Sequence, residues 1–299
     1  VIRWVVINGR RLPAPQPPAP AAYRNGLLRM LRELESVYLE AMGAEPESRE
    51  DSGLVRRLLG NRVALVRLLQ KTDRARGLTQ HNLSLMIDGV MEYFGQTELV
   101  DQFGRAIVRD ANSGFDKLVK ASAKPGQQLK ASIYAINLKA GSSDMAPFLD
   151  GFRRKNTDLI KRLVGEQVVK TERVIANSYG EHVRVLRERI QAATGTTESH
   201  AELLARDQTL KANADIQRFR AQSVGANRYT WITSNDERVR GRPGGKWEDS
   251  DSNHFKLHGK QFEFNKPPLT NAKKGIHLNP GMDFQCRCTA TPDLSHIFE

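Results

Sequence analysis

Apolar positions recur with a helical period over much of the chain. In residues 22–150, Leu27, Leu31, Leu34, Tyr38 and Ala41 fall at steps of four and three, which puts them on one face of a helix. Leu54, Val55, Leu58, Leu59, Leu65, Leu68 and Leu69 give a second helix a wide apolar stripe. A third is predicted over residues 83–94, and a fourth over 99–119 with Phe103, Ile107 and Phe115 facing inward. Pro125-Gly126 breaks the pattern, residues 129–138 read as another short helix, and Gly141-Ser142-Ser143-Asp144 reads as a linker. Beyond it, Ile160, Leu163, Val164, Val168, Val174 and Ile175 carry a helix through residues 157–177. The next helical stretch, 179–193, meets a stop signal at Thr194-Gly195. Ser199-His200-Ala201-Glu202 predicts a capping box that opens a further helix to about Gln222, with Gly225 as its stop.

The two ends follow other patterns. Residues 1–7 are rich in β-branched and aromatic types and lead to Asn8-Gly9, a turn signal. Pro13, Pro15, Pro17, Pro18 and Pro20 then force an extended, helix-incompatible segment. Residues 1–21 therefore read as an arm whose strand docks on its own body or adds to a partner's sheet, with Ile2, Trp4 and Val6 as its binding side chains. Tyr229-Thr230-Trp231-Ile232-Thr233 is a strand, and the chain after it is rich in Gly, Pro, Asn and short apolar pieces. The fold class expected is α+β: the arm (1–21), a helical domain (22–150), and a part with a small α+β module at its end (151–299).

Composition narrows the classes. No run approaches the roughly 18–20 apolar residues of a membrane span, and Arg3 interrupts an opening already too short for a signal-peptide core. Two cysteines in 299 residues exclude a disulfide-stapled scaffold and fit a reducing compartment. The net charge of +12 is spread through the chain. Residues 1–150 carry 21 basic and 16 acidic groups, and residues 151–299 carry 25 and 18. Basic clusters at Arg153-Arg154-Lys155 and around Arg238–Arg242 lack the aromatic interleaving of a single-strand platform. Diffuse affinity for polyanions is the reading this supports.

Ala201-Glu202-Leu203-Leu204-Ala205-Arg206 is followed by Trp231-Ile232-Thr233-Ser234-Asn235-Asp236-Glu237-Arg238-Val239-Arg240. Then come His254, Leu257 and Gly259, a Pro267-Pro268 pair, and Phe284-Gln285-Cys286-Arg287-Cys288. In this order and spacing, over roughly residues 155–293, the sequence resembles the phage head morphogenesis family, the minor head proteins similar to the F protein of phage Mu. The resemblance makes Glu202, Arg206, Trp231, Arg240 and Gly259 structural motif residues. There are departures: family members usually place the His a few residues after the V-R pair, whereas Gly241 to Asn253 intervene here as an inserted loop. The residue before the first Cys is often Asn, and here it is Gln285.

Asp236, His254, His258, Cys286 and Cys288 are the cluster of metal-ligand types. Zinc accepts thiolate, imidazole and carboxylate in a tetrahedral shell. Two ligand sets are open: Cys286, Cys288 and His254 with Asp236, or the same three with His258 instead. A closed site of either kind is a structural zinc. The competing reading lets His254 bond the Asp236 turn while the cysteines pack as small buried thiols. A Cys286–Cys288 disulfide would close a strained, tiny ring and is not expected. A metal-dependent nuclease or hydrolase using Asp236 and His254 needs an open coordination position and a base such as Glu237, Glu248 or Asp251. No phosphate loop, nucleophile elbow or H-E-x-x-H accompanies them.

The resemblance implies a minor head protein of a tailed phage or prophage, at the portal vertex or in the capsid interior after assembly in the host cytoplasm. Its role is in head morphogenesis, DNA packaging and ejection. It implies a non-enzymatic protein whose partners are the portal and major capsid proteins, with diffuse contact to packaged DNA and none to membrane. Some relatives carry a toxin domain after this module; with the chain ending at Glu299, none is expected here.

Overall fold

A computed structural model describes residues 3–7, 9–14, 21–41, 88, 91, 96–123, 145–177 and 183–297. Ile2, the helices expected around residues 54–69 and 129–138, most of that at 83–94, and the 141–144 linker lie outside these residues. The architecture is α+β, with long helices and small antiparallel sheets. The chain divides into two compact units. One comprises Val1–Ala19, Arg105–Phe148 and Arg206–Glu299; the other comprises Pro20–Gly104 and Leu149–Ala205. This division differs from the contiguous domains expected at 22–150 and 151–299, because long helices contribute residues to both units.

The unit built from Pro20–Gly104 and Leu149–Ala205 is helical. Helix α1 (Ala21–Ala41) buries Tyr23, Leu27, Met30, Leu31, Leu34 and Tyr38, the stripe the period predicts. The start of α2 (Gln96–Ser122) brings Phe103 onto it, with ring centroids of Tyr23 and Phe103 4.7 Å apart. Approach is close enough that a Cβ on Gly26 would lie 2.2 Å from Phe103 Cζ. Helix α3 (Ala146–Asn177) supplies Asn156, whose Oδ1 accepts the buried Tyr23 hydroxyl at 2.6 Å while its Nδ2 donates to the Phe152 carbonyl at 2.9 Å. Arg153 grips Asp101 through both carboxylate oxygens, at 2.6 and 3.2 Å.

Helix α4 runs unbroken over Val183–Ser223, through the expected stop at Thr194-Gly195 and the expected start at Ser199. Across the expected stop the helix continues, and the hydroxyls beside Gly195 bond within it. Thr194, Thr196, Thr197 and Ser199 donate to the carbonyls four residues back, at 3.1, 3.2, 3.3 and 3.2 Å. Ser199 is thus spent on Gly195 rather than on a cap. Gln167 of α3 then donates to Thr194 Oγ1 at 2.9 Å, fixing the buried threonine. Gly225 does end the helix: at φ +82° its amide bonds Gln222 O, and the Ala226 amide bonds Ala221 O, both at 2.9 Å. That pair of bonds is a Schellman closure.

The other unit surrounds strand β3 (Arg228–Ile232). β4 (Gln261–Glu263) and β7 (Thr289–Pro292) flank it, both antiparallel. Tyr229 through Ile232 are buried without alternation, as a strand covered on both faces requires. Phe115, Leu118 and Val119 of α2, Ala221 of α4, Tyr229, Trp231, Leu257, Phe264, Cys286, Cys288 and Leu294 form one core. Gln217 Nε2 donates to Ala111 O at 3.1 Å and Arg220 Nε to Asn112 Oδ1 at 2.8 Å, tying α4 to α2 in this unit. A short ribbon pairs β5 (Leu269–Asn271) with β6 (Ile276–His277).

The arm is a hairpin of β1 (Arg3–Ile7) and β2 (Arg10–Ala14), with Gly9 at φ +74° in the turn. Pro13, expected to begin an extended tether, lies in β2. Its carbonyl accepts Thr291 Oγ1 of β7 at 2.6 Å, so the arm docks on its own unit. Trp4 is 38 % exposed with the Arg11 guanidinium 4.9 Å from its ring centroid, and Val6 is 70 % exposed.

Candidate functional site

Three elements converge at the end of β3. The first is Trp231, fully buried, whose amide donates to Lys260 O at 2.9 Å while its carbonyl accepts the Gly259 amide at 2.8 Å. Gly259 sits at φ +78°, a conformation that favours glycine, which accounts for its place in the motif. The second element is the turn after β3. Asp236 Oδ1 accepts the Arg238 amide at 2.9 Å, and the Arg287 guanidinium takes both carboxylate oxygens at 2.7 Å. Burial opposes ionisation of Asp236, but these bonds outweigh it and hold the carboxyl below its usual range.

The loop inserted after Arg240 closes on itself. The Arg240 carbonyl accepts the amides of His254 and Phe255, both at 3.1 Å, so the chain returns to the residue from which it left. Within the loop the Gly241 amide bonds Trp247 O at 2.9 Å, and a Cβ on Gly241 would lie 2.4 Å from Asn253 Cγ. The insertion therefore leaves His254 beside Arg240.

The third element is the turn before β7. Asp283 Oδ1 accepts the Phe284 amide at 2.7 Å, the Cys286 amide bonds Asp283 O at 3.1 Å, and Gln285 adopts φ +53°. Asp207 of α4 anchors this turn by accepting the Gln285 amide at 2.8 Å, and Lys211 holds the carboxylate's other oxygen at 2.6 Å. The turn presents both cysteines inward.

His254 stands between the second and third elements, 2 % exposed, its ring 5.5 Å from Trp231 and edge-on to it. Its Nδ1 lies 3.5 Å from Cys286 Sγ and 3.7 Å from Cys288 Sγ. On the far side Nε2 is at ion-pair distance, 3.3 Å, from Asp283 Oδ2, and Arg240 donates to that same oxygen at 2.6 Å. Burial pulls the His254 imidazole down, yet Asp283 and the Cys286 sulfur outweigh it and raise it to about 9. Burial likewise pushes Asp283 up, and His254 with Arg240 overcomes this and brings it to about 2. A hydrogen bond from Cys288 and the His254 imidazole push Cys286 down; Cys288, buried beside that sulfur, is pushed up.

Of the expected metal-ligand residues, the structure brings together His254, Cys286 and Cys288, whose donor atoms all lie within 4.8 Å of one another. It does not bring Asp236, which belongs to Arg287, nor His258, whose Nδ1 accepts the Thr233 amide and faces the Thr233 hydroxyl, both at 3.1 Å. The geometry of the first expected set, with Asp236 as a ligand, and of the second, with His258, is therefore absent among the described residues. Glu202 and Arg206 are exposed on α4, and Arg240 is the clamp on Asp283. Sequence reasoning missed Asp283, Arg287 and Asp207. The first two stand in or beside the C-R-C run, and an acid three residues before a buried Cys–His pair is a usable signal for an orienting carboxylate.

Residues 167–291 match the family described as phage Mu protein F like protein, which contains Trp231, Asp236, Arg240, His254, Gly259, Cys286 and Cys288 in the matched span. The chain is also similar to an uncharacterized protein of Haemophilus influenzae, 32 % identical over 143 residues that make up 47 % of this chain and 28 % of that protein. The chain thus spans less than a third of that relative's length. No solved structure matches it. Residues 167–291 are thus similar to the phage Mu protein F like family.

Proposed function

We propose that this chain is a minor head protein of a tailed phage or prophage. It assembles with portal and major capsid subunits at the portal vertex and acts in head morphogenesis, DNA packaging and ejection by binding rather than catalysis. One observation carries the reading: among the described residues the matched motif side chains close on a buried core. Trp231, His254, Cys286 and Cys288 are all less than a tenth exposed, and Asp236 and Arg240 are engaged as clamps. Such a unit is a rigid scaffold suited to presenting a surface. The nuclease reading requires Asp236 and His254 at one cation, whereas the carboxylate holds Arg287 and the imidazole faces buried sulfurs. The positive charge serves as diffuse tolerance for packaged DNA.

The contact surface includes β1, which pairs only with β2 among the described strands and exposes Trp4 and Val6. Quantitative mass spectrometry of purified particles tests the reading. Presence at a few copies per particle, reduced by Trp4→Ala combined with Val6→Asp, is the expected result. Absence from particles, or coat-protein stoichiometry, overturns it.

A further inference from the structure

We infer that His254, Cys286 and Cys288 form a zinc site, with Asp283 as the carboxylate that orients the imidazole from behind. The ring is held between two kinds of partner. Nε2 faces the Asp283 carboxylate, which Arg240 clamps in place. The carboxylate's charge at 3.3 Å favours a ring proton on Nε2, and in that neutral tautomer the lone pair lies on Nδ1. Both sulfurs lie off that one nitrogen, at 3.5 and 3.7 Å. The Nδ1 lone pair and the two sulfurs thus converge on one buried point, with their donor atoms within 4.8 Å of one another. A cation at the point all three share satisfies them together.

The distances agree with tetrahedral coordination. Zinc bonds of about 2.3 Å to sulfur and about 2.0–2.1 Å to nitrogen place N and S about 3.6 Å apart and the two sulfurs about 3.8 Å apart. The two N–S separations, 3.5 and 3.7 Å, bracket that value. Two thiolates and an imidazole select zinc over magnesium or calcium, which take oxygen ligands. Among the described residues no fourth His, Cys, Asp or Glu joins the set. Burial of the ligands to 2, 4 and 7 % exposure shuts out substrate and makes the ion a crosslink. It fastens the return of the inserted loop to the turn before β7, and each cysteine yields its proton to solvent on binding.

This inference stands independently of the head-protein reading. The full-length chain, stripped with a chelator, is titrated with cobalt(II) and followed by absorption, and the untreated chain is assayed for zinc. One equivalent of metal per chain, tetrahedral ligand-field bands and sulfur-to-cobalt charge transfer are expected, with both thiols reacting with a thiol reagent only after chelation. Cys286→Ser and Cys288→Ser abolish the charge-transfer spectrum. Asp283→Asn keeps the spectrum but weakens binding roughly 10–100-fold, while Asp236→Asn and His258→Ala leave stoichiometry unchanged. A folded wild-type chain, verified by circular dichroism, that gives no cobalt spectrum and contains no zinc overturns the site. So does metal loss in Asp236→Asn or His258→Ala with affinity intact in Asp283→Asn.

Discussion

Asp236 shows how one side chain organises a turn. Its carboxylate joins the backbone just after β3 to Arg287, the residue between the cysteines. Because its folded pKa is depressed, the stability it contributes is present above the usual carboxylate value, about 3.9, and is lost as pH falls through the folded value. Asp236→Asn should therefore lower the urea midpoint at pH 7, and its deficit relative to wild type should close on acidification below about pH 4. A deficit independent of pH would assign the loss to the turn bond rather than to the ion pair. Gln285 makes the neighbouring point about backbone. Its φ of +53° explains why family members often carry Asn there, since Asn tolerates the left-handed region better than Gln.

The helices set the limits of what was legible in the sequence. The apolar stripes of α1 and α2 were readable because a helical period needs only the chain itself, and Leu27, Leu31, Phe103 and Phe115 are buried as that period predicts. The continuity of α4 was not, since Thr194-Gly195 and Ser199 carry real stop and start signals. What overrides them is packing: Gln167 on another helix holds the buried Thr194, and the Ser199 hydroxyl bonds back to Gly195 rather than capping. Gly26 marks the same limit from the other side. In an exposed helix Gly→Ala stabilises by about 1 kcal/mol, but here the added carbon meets Phe103. Gly26→Ala should instead lower stability by about 1–3 kcal/mol, measured by chemical denaturation, and Gly26→Ala with Phe103→Leu should recover part of the loss.

At the scale of the molecule, the candidate site was half visible in advance. Residue types named His254, Cys286 and Cys288, but setting aside both Asp236 and His258 required three-dimensional separation, and Asp283 needed the clamp of Arg240 to be recognised. The unit boundaries were hidden for a related reason. A helix of 27 residues, about 40 Å long, can place Phe103 in one core and Phe115 in another, which no compositional shift announces. The loop after Arg240 supplies a test at this scale. Excising residues 242–252 joins Gly241 to Asn253 and turns the Arg240 O to His254 N bond into the closure of a four-residue β-turn, with Gly241 already at φ +73°. The shortened chain should fold with its cysteine environment unchanged, as read by thiol reactivity. It should lose about 1–3 kcal/mol because the buried Asn271 amide forfeits Ser252 Oγ.

That doubled carbonyl at Arg240 makes the distance between the V-R pair and the histidine an editable length. A chain segment that begins and ends at one hydrogen-bond acceptor can change length while its two ends stay together, provided that Ser252 keeps its bond to Asn271. The position is thus a natural graft point for an epitope or a reporter. Motif searches for relatives do better to treat the gap before His254 as open than to count it.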